Sequence, residues 1–276
     1  MTNEAKRIAD DAEGRFSRYL KERSYTFVRE PDNLGIEKRP DFLISVSKYQ
    51  LAAEVKAFDT FGILERLEPG QVGARSLKDA LKPIRKQIEG AAGQLKGLQG
   101  REMPLVVVLD NPVGRPIPMD ASMIMSAMYG DLTVHLNGDP NGTATSELVA
   151  GRNGQLRNYH PYISAVVVIR REDLAAQWAA KWMDDHLAQF PDFRKGDVKP
   201  LVEAFAEAQQ YAPEGDVLYV EVFETISEAA VPLPRDVFDG PRDLRWVPNA
   251  DRTALVPLLR LQEDSYHLGD GPSTAS

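Results

Sequence analysis

Three charged residues lie in two short apolar segments of this sequence. Asp41 precedes Phe-Leu-Ile-Ser-Val, and Glu54 and Lys56 lie within residues 51–58, where the other residues are apolar. A charge in such a setting needs a partner or a function, because burying it alone is costly. Side chains alternate between the faces of a strand, so Glu54 and Lys56 point to the same side. If the two strands pair as a hairpin, Asp41 lies across from them.

Two carboxylates and one ammonium on one sheet suit a divalent metal site. Mg²⁺ accepts hard oxygen ligands and keeps several of its waters. A metal held by Asp41 and Glu54 would lower the pKa of a coordinated water and stabilise charge on a scissile phosphate. Lys56 would position that water or assist its deprotonation. The alternative is that all three residues are solvated charges on an amphipathic hairpin.

Flanking helices add three polar candidates. Glu13 borders the apolar stripe of a predicted helix over residues 4–22, where it is either a further metal ligand or a surface glutamate. Gln87 and Gln94 lie seven residues, or about two turns, apart on a later predicted helix, so both occupy one flank of it. Their amides could hold a phosphate, a water or a base, or could be ordinary surface groups.

The same later helix carries four cations that we assign to its solvated side. They could contact a backbone phosphate or form a solvated charged face. The four are Lys82, Arg85, Lys86 and Lys96.

Bulk composition limits the function classes. The chain has 276 residues and a net charge of −8. It contains no cysteine, which excludes disulfide scaffolds, thiolate metal sites and cysteine nucleophiles. The acidic balance also argues against a protein that coats long nucleic acid through bulk charge. No apolar run reaches the roughly 18 residues that a membrane span needs, and the first residues show no signal-peptide pattern. We therefore expect a cytoplasmic protein without membrane contact.

Hydrophobic periodicity predicts strands that alternate with helices, and hence a mixed α/β layered fold. Residues 59–75 and 137–158 have loop composition, the latter with an edge hairpin as an alternative. The predicted strands cover 25–30, 41–46, 51–58, 104–109, 163–169, 216–224 and 254–262, and the predicted helices cover 4–22, 76–98, 120–129, 172–190 and 198–210.

The order of these features resembles the PD-(D/E)XK nuclease superfamily, also called the restriction-endonuclease-like fold. The matching features are Glu13 on a first helix, Pro40-Asp41, Glu54-Val55-Lys56 on the next strand, and a helix with Gln87 and Gln94. The resemblance covers about residues 4–110, can be extended to the strand at 163–169, and implies a mixed central sheet flanked by helices.

For function, the resemblance implies Mg²⁺- or Mn²⁺-dependent cleavage of phosphodiester bonds, with DNA as the expected nucleic-acid partner. Asp41 and Glu54 would be metal ligands, the Val55 carbonyl a further ligand, and Lys56 the catalytic lysine. We divide the chain into a nuclease-like core (1–170), a C-terminal α/β extension packed on it (171–268) and a disordered tail (269–276).

Two other interpretations stay open. One is an inactive nuclease-like module for binding or assembly, and the other is a regulatory protein whose acidic surface mimics nucleic acid. A homodimer or a partner protein also stays open.

Overall fold

The computed structural model of the chain describes residues 3–58, 76–111, 117, 119–138, 144–192, 196 and 198–258, without the side chains of residues 33, 131–138, 144–153, 157 and 158. Eight strands form one mixed sheet in the order β1-β2-β3-β4-β7-β8-β9-β10, and β5 pairs with β6 separately. The strands are β1 (Thr26–Arg29), β2 (Phe42–Val46), β3 (Tyr49–Ala57), β4 (Leu105–Asp110), β5 (Gly130–Gly138), β6 (Ala144–Asn153), β7 (Ala165–Asp173), β8 (Asp216–Glu224), β9 (Leu244–Pro248) and β10 (Leu255–Pro257).

Helices cover both faces of this sheet. They are α1 (Asn3–Glu22), α2 (Leu77–Leu95), α3 (Ala121–Tyr129), α4 (Gln155–Asn158), α5 (Leu174–His186) and α6 (Lys199–Gln209). One apolar layer joins the sheet to α2 and α3, and another joins it to α1 and to a segment around Phe238. The expected mixed α/β sheet flanked by helices is confirmed.

The centre of the sheet is built from continuous apolar strands. In β4, Val107 and Leu109 face α2 and α3, whereas Val106 and Val108 face α1. All four side chains are fully buried, because strands covered on both faces have no solvated side. β4 pairs in parallel with β3 on one side and with β7 on the other.

The N-terminal elements follow the sequence expectations closely. A tight turn at Ser47, whose φ is +52°, joins β2 to β3 in antiparallel register. Ser76 caps α2 by accepting the N–H of Asp79 at 3.2 Å, and Pro83 lies inside that helix without interrupting it. The expected loop over residues 59–75 lies outside the described residues.

Three expectations need correction. Residues from Gly130 onward form the β5–β6 hairpin, which pairs apart from the main sheet rather than at its edge. The strand β9 was missing from the prediction. The strand predicted over 254–262 ends at Pro257, and residues from 259 onward lie outside the described part of the chain.

The C-terminal strands extend the same sheet as the N-terminal ones. β7 runs across residue 170, where the sequence analysis divides the chain, and β8 pairs with it along nine residues. The proposed tail, residues 269–276, is outside the described part of the chain. No helix in the described part is long and apolar enough to cross a membrane.

Candidate metal centre

A notch in the sheet brings the predicted site residues together. β2 begins at Phe42, which pairs with Ala53, whereas β3 continues to Ala57 without a β2 neighbour. Asp41 stands at the start of this notch and accepts the Val55 N–H through Oδ2 at 2.7 Å. In an extended strand the N–H and C=O of one residue point to the same edge, so the Val55 carbonyl also faces the notch.

Glu54 is the most enclosed of the three charged residues. Its side chain is fully buried, Oε2 accepts the backbone N–H of Asp41 at 3.3 Å, and Oε1 accepts Lys56 Nζ at 2.6 Å. Lys56 is partly exposed and lies on the same strand face as Glu54, as the alternation predicts. The three residues therefore form one connected group.

Both carboxyl groups resist ionisation in this setting. Burial, together with the negative charge of the nearby Asp41, raises the pKa of Glu54 to about 7, although Lys56 acts to lower it. Burial likewise raises the pKa of Asp41, and Glu13 adds to the rise through its negative charge. Two crowded carboxyl groups with raised pKa values form an electrostatic environment that a bound cation would relieve.

A cavity of about 270 Å³ opens beside this group. Its apolar wall comes from α1, through Ala5, Ile8 and Ala9, and Glu13 lies one turn further along that helix. Gln87 and Gln94 of α2 line the opposite wall, so the expectation that both lie on one flank of their helix is confirmed.

The two glutamines differ in what they contact. Gln87 donates from Nε2 to the Ala57 carbonyl at 2.9 Å, which satisfies a backbone group at the open edge of β3. The side-chain amide of Gln94 forms no hydrogen bond with another described residue. The amide of Gln94 is therefore the one of the pair that is open to a ligand.

Glu13 lines the cavity but forms an ion pair with Arg29 of β1. Arg15, which is closer to Glu13 in the sequence, does not pair with it. Arg15 binds Asp110 instead, with two contacts of 3.0 and 2.6 Å. Within the described residues, no three or more histidine or acidic side chains converge as a metal cluster. Two carboxylates, Asp41 and Glu54, remain as direct ligand candidates.

One predicted nucleic-acid contact is wrong in its placement. Arg85 was assigned to the solvated side of α2, but it is only 8% exposed and donates to the Ser126 carbonyl at 3.1 Å. Arg85 of α2 is buried against α3, because the Ser126 carbonyl of α3 accepts its hydrogen bond. Lys86, the next residue, is exposed as expected.

Neither Arg29 nor the Arg15–Asp110 pair is indicated by the sequence pattern. Asp110 ends the apolar run of β4, and that charge at the end of a buried strand was the one available signal. Arg15 and Asp110 lie 95 residues apart in the sequence, and Arg29 and Glu13 lie 16 apart. Both contacts therefore depend on the tertiary fold.

The donor set fits a hard divalent cation. Asp41 and Glu54 supply carboxylate oxygens, the Val55 carbonyl faces the same notch, and Oδ1 of Asp41 accepts no hydrogen bond from the described residues. Mg²⁺ is commonly held by one or two carboxylates with waters completing its shell. The residues present therefore suffice without a third acidic ligand.

Comparisons of the chain with protein-family models, with curated proteins and with solved structures find no match. The chemistry of the site is therefore inferred from its geometry.

A larger cavity, of about 760 Å³, lies at the other end of the sheet, beside the turn between β2 and β3. Three of its charged lining residues are already paired within the protein: Glu224 binds Arg235 as well as Arg245, and Arg252 donates to three backbone carbonyls. The smaller cavity is the better candidate site because its carboxyl groups carry raised pKa values, which cluster at functional sites.

Proposed function

We propose that the chain is a metal-dependent nuclease that hydrolyses phosphodiester bonds, with DNA as substrate. The observation that carries this proposal is the connected group of Asp41, Glu54 and Lys56 beside the cavity. A metal-dependent phosphodiester hydrolase requires acidic ligands and a cation next to an accessible space, and this group supplies both.

Asp41, Glu54 and the Val55 carbonyl would hold Mg²⁺ or Mn²⁺ directly, and Glu13 is a further candidate through a bridging water. Such an ion would supply Lewis acidity toward a phosphate oxygen. Lys56 has three donors, of which one is used by Glu54 at 2.6 Å. The others can orient a water or a phosphate oxygen in the cavity, and the lysine can hold or release a proton at Nζ.

The order of elements supports a restriction-endonuclease-like core. The described chain runs α1, β1, β2, β3, α2, β4, with Glu13 on the first helix and the glutamines on the second. That is the order on which the sequence resemblance depends. The choice of DNA over RNA follows from the resemblance alone.

The net charge of −8 sets a condition on this function. A polyanionic strand approaches an acidic cavity more readily when local cations offset the carboxylates. Lys56 and a divalent ion would provide that offset at the site. We therefore expect binding of nucleic acid to strengthen when Mg²⁺ or Mn²⁺ is present.

The direct test is cleavage of plasmid and linear DNA with Mg²⁺, Mn²⁺ or EDTA. We expect cleavage with either metal, and its loss in Asp41→Asn, Glu54→Gln and Lys56→Met variants that keep the wild-type circular dichroism spectrum. Lys48→Met is the matched control, because Lys48 lies in the turn at the other end of β3. Wild-type protein that cuts no nucleic acid with any divalent metal would contradict the proposal.

A second candidate is a nuclease-like module without catalysis, used in binding or assembly. It is favoured by the closed state of the acids: Glu13 is paired with Arg29, and both oxygens of Glu54 already accept hydrogen bonds. Calorimetric titration with Mn²⁺ separates the two. A folded chain that takes up no Mn²⁺, with the heat unaffected by Asp41→Asn, supports the second candidate.

A further inference from the structure

Arg29 is anchored next to the candidate metal ligands. It is the last residue of β1, and its register partner is Phe42, the residue that follows Asp41. The next residue, Glu30, donates its N–H to the Asp41 carbonyl at 3.0 Å. The backbone that carries Arg29 is therefore fixed against the backbone that carries Asp41.

The guanidinium of Arg29 is in contact with the cavity lining. It pairs with Glu13, a lining residue, and its central carbon is 5.8 Å from the centre of the Phe42 ring. The side chain of Arg29 is 50% exposed, whereas that of Glu13 is 18% exposed. The arginine thus reaches solvent on one side and a cavity acid on the other.

Stability gives little reason for this pair. An ion pair with one half-exposed member contributes little to stability, because water screens it and ordering both side chains costs entropy. The charge balance of the cavity gives a stronger reason for a cation at position 29. Lys56 is the one cation among the described residues that line the cavity, and it is bound to Glu54.

A guanidinium suits an incoming phosphate better than it suits Glu13 alone. Its planar fork of donors matches two phosphate oxygens, and its charge is permanent. The ring of Phe42 supports the guanidinium on one face, which limits the directions it can take. A phosphate that arrives from solvent can therefore replace the glutamate without movement of the backbone.

We propose that Arg29 binds a phosphate group of a nucleic-acid strand beside the cavity, and that Glu13 holds the guanidinium in place until the phosphate replaces it. The proposal builds on the nuclease function, since it names how the same site receives its substrate. Arg29 is a substrate-binding residue in this scheme, and Glu13 competes with the substrate for it.

Binding of a fluorescent DNA oligonucleotide, followed by anisotropy in EDTA over a range of salt, tests the proposal without metal or turnover. We expect Arg29→Met to weaken binding on the order of tenfold, and to reduce the slope of log K against log salt by about one. Arg29→Lys keeps the charge without the fork, so an intermediate loss is expected. Glu13→Gln should strengthen binding severalfold, a gain that misfolding cannot produce.

Arg242→Met is the matched control. Arg242 is 47% exposed and pairs with one acid, Glu172, at 2.7 Å, but neither residue lines the cavity. The proposal is overturned if Arg29→Met binds DNA as tightly as Arg242→Met does, or if Glu13→Gln binds no more tightly than wild type.

Parallel measurements keep this proposal separate from the nuclease function. Wild-type protein that takes up Mn²⁺ and cuts DNA, together with an Arg29→Met variant of unchanged DNA affinity, removes only the role of Arg29. Wild-type protein whose DNA affinity depends on Arg29 but which takes up no Mn²⁺ removes only the catalytic function.

Discussion

Asp41 accepts the backbone N–H of Val55 at 2.7 Å, so one candidate metal ligand is oriented by the residue that lies between Glu54 and Lys56 in the sequence. This contact occupies the place that a longer β2 strand would take. The Val55 N–H, at the edge of β3 that has no β2 neighbour, holds the Asp41 carboxylate in place. The site is therefore oriented before any ligand arrives, which lowers the cost of binding one.

Asparagine at position 41 should separate the structural role of this residue from its metal-binding role. The amide oxygen of Asp41→Asn can still accept the Val55 N–H, so we expect a thermal midpoint close to wild type. The lost negative charge should lower Mn²⁺ affinity by at least about tenfold in calorimetric titration. Asp41→Ala loses the acceptor as well, so it should be less stable than Asp41→Asn. Equal Mn²⁺ affinity in Asp41→Asn and wild type would rule Asp41 out as a ligand.

Glu54 should make the metal-free protein less stable as the pH rises. Its folded pKa of about 7 lies above its ordinary value of 4.5, so the folded state keeps a proton that the unfolded state releases between these values. Glu54→Gln removes this penalty. The stability of Glu54→Gln relative to wild type should therefore increase between about pH 4.5 and pH 7 and then level off.

Urea unfolding in EDTA at pH 5 and pH 8 measures this difference. The upper limit of the change is on the order of 3 kcal/mol, from about 1.4 kcal/mol for each pKa unit. Glu203→Gln, on the exposed surface of α6, is the control and should show no such trend. A relative stability of Glu54→Gln that falls toward pH 8 would contradict the burial argument.

The candidate site could be predicted from the sequence because its residues are close in the chain. The hairpin that joins Asp41 to Glu54 needs only strand alternation and a short turn, both of which are local signals. The same holds for the flank of α2 that carries Gln87 and Gln94, since it follows from helical periodicity. The placement of Arg85 failed because a helix pattern does not tell which neighbour will offer an acceptor.

The missing strand β9 shows the same limit in the sheet. It has five residues, begins with an exposed leucine and contains Arg245, so its pattern is unlike that of a buried strand. Arg245 is nevertheless buried, because Glu224 binds it at 2.7 Å and carbonyls of residues 233–237 accept its remaining donors. Partners that lie outside the segment make the strand possible, and local pattern does not reveal them.

The two glutamines of α2 should respond differently to replacement by leucine. Gln87→Leu leaves the Ala57 carbonyl without its donor at the open edge of β3, so stability should fall by about 1 kcal/mol. Gln94→Leu removes no hydrogen bond to a described residue, so its stability should stay near wild type while DNA affinity falls. Chemical unfolding and anisotropy on both variants test the pair. An unchanged DNA affinity in Gln94→Leu would assign Gln94 to the surface alone.

Arg85 and Lys86 are adjacent cations that should have opposite effects. Arg85 is buried and donates to the Ser126 carbonyl, so Arg85→Met should lower the free energy of unfolding by roughly 1–3 kcal/mol, because it removes a buried hydrogen bond from a charged donor. The Ser126 carbonyl keeps the Gly130 N–H as its other donor. DNA affinity should not change, since the guanidinium is out of reach of a ligand. Lys86 is exposed, so Lys86→Met should leave stability unchanged.

Lys86→Met should instead weaken DNA binding modestly and uniformly across sequences, as expected for loss of one phosphate contact. The two variants remove the same charge one residue apart, so bulk charge cannot explain a difference between them. Anisotropy at two salt concentrations and urea unfolding give both quantities for each variant. Weaker DNA binding by Arg85→Met at full stability would restore Arg85 as a DNA contact and would contradict the hydrogen bond from Arg85 to α3.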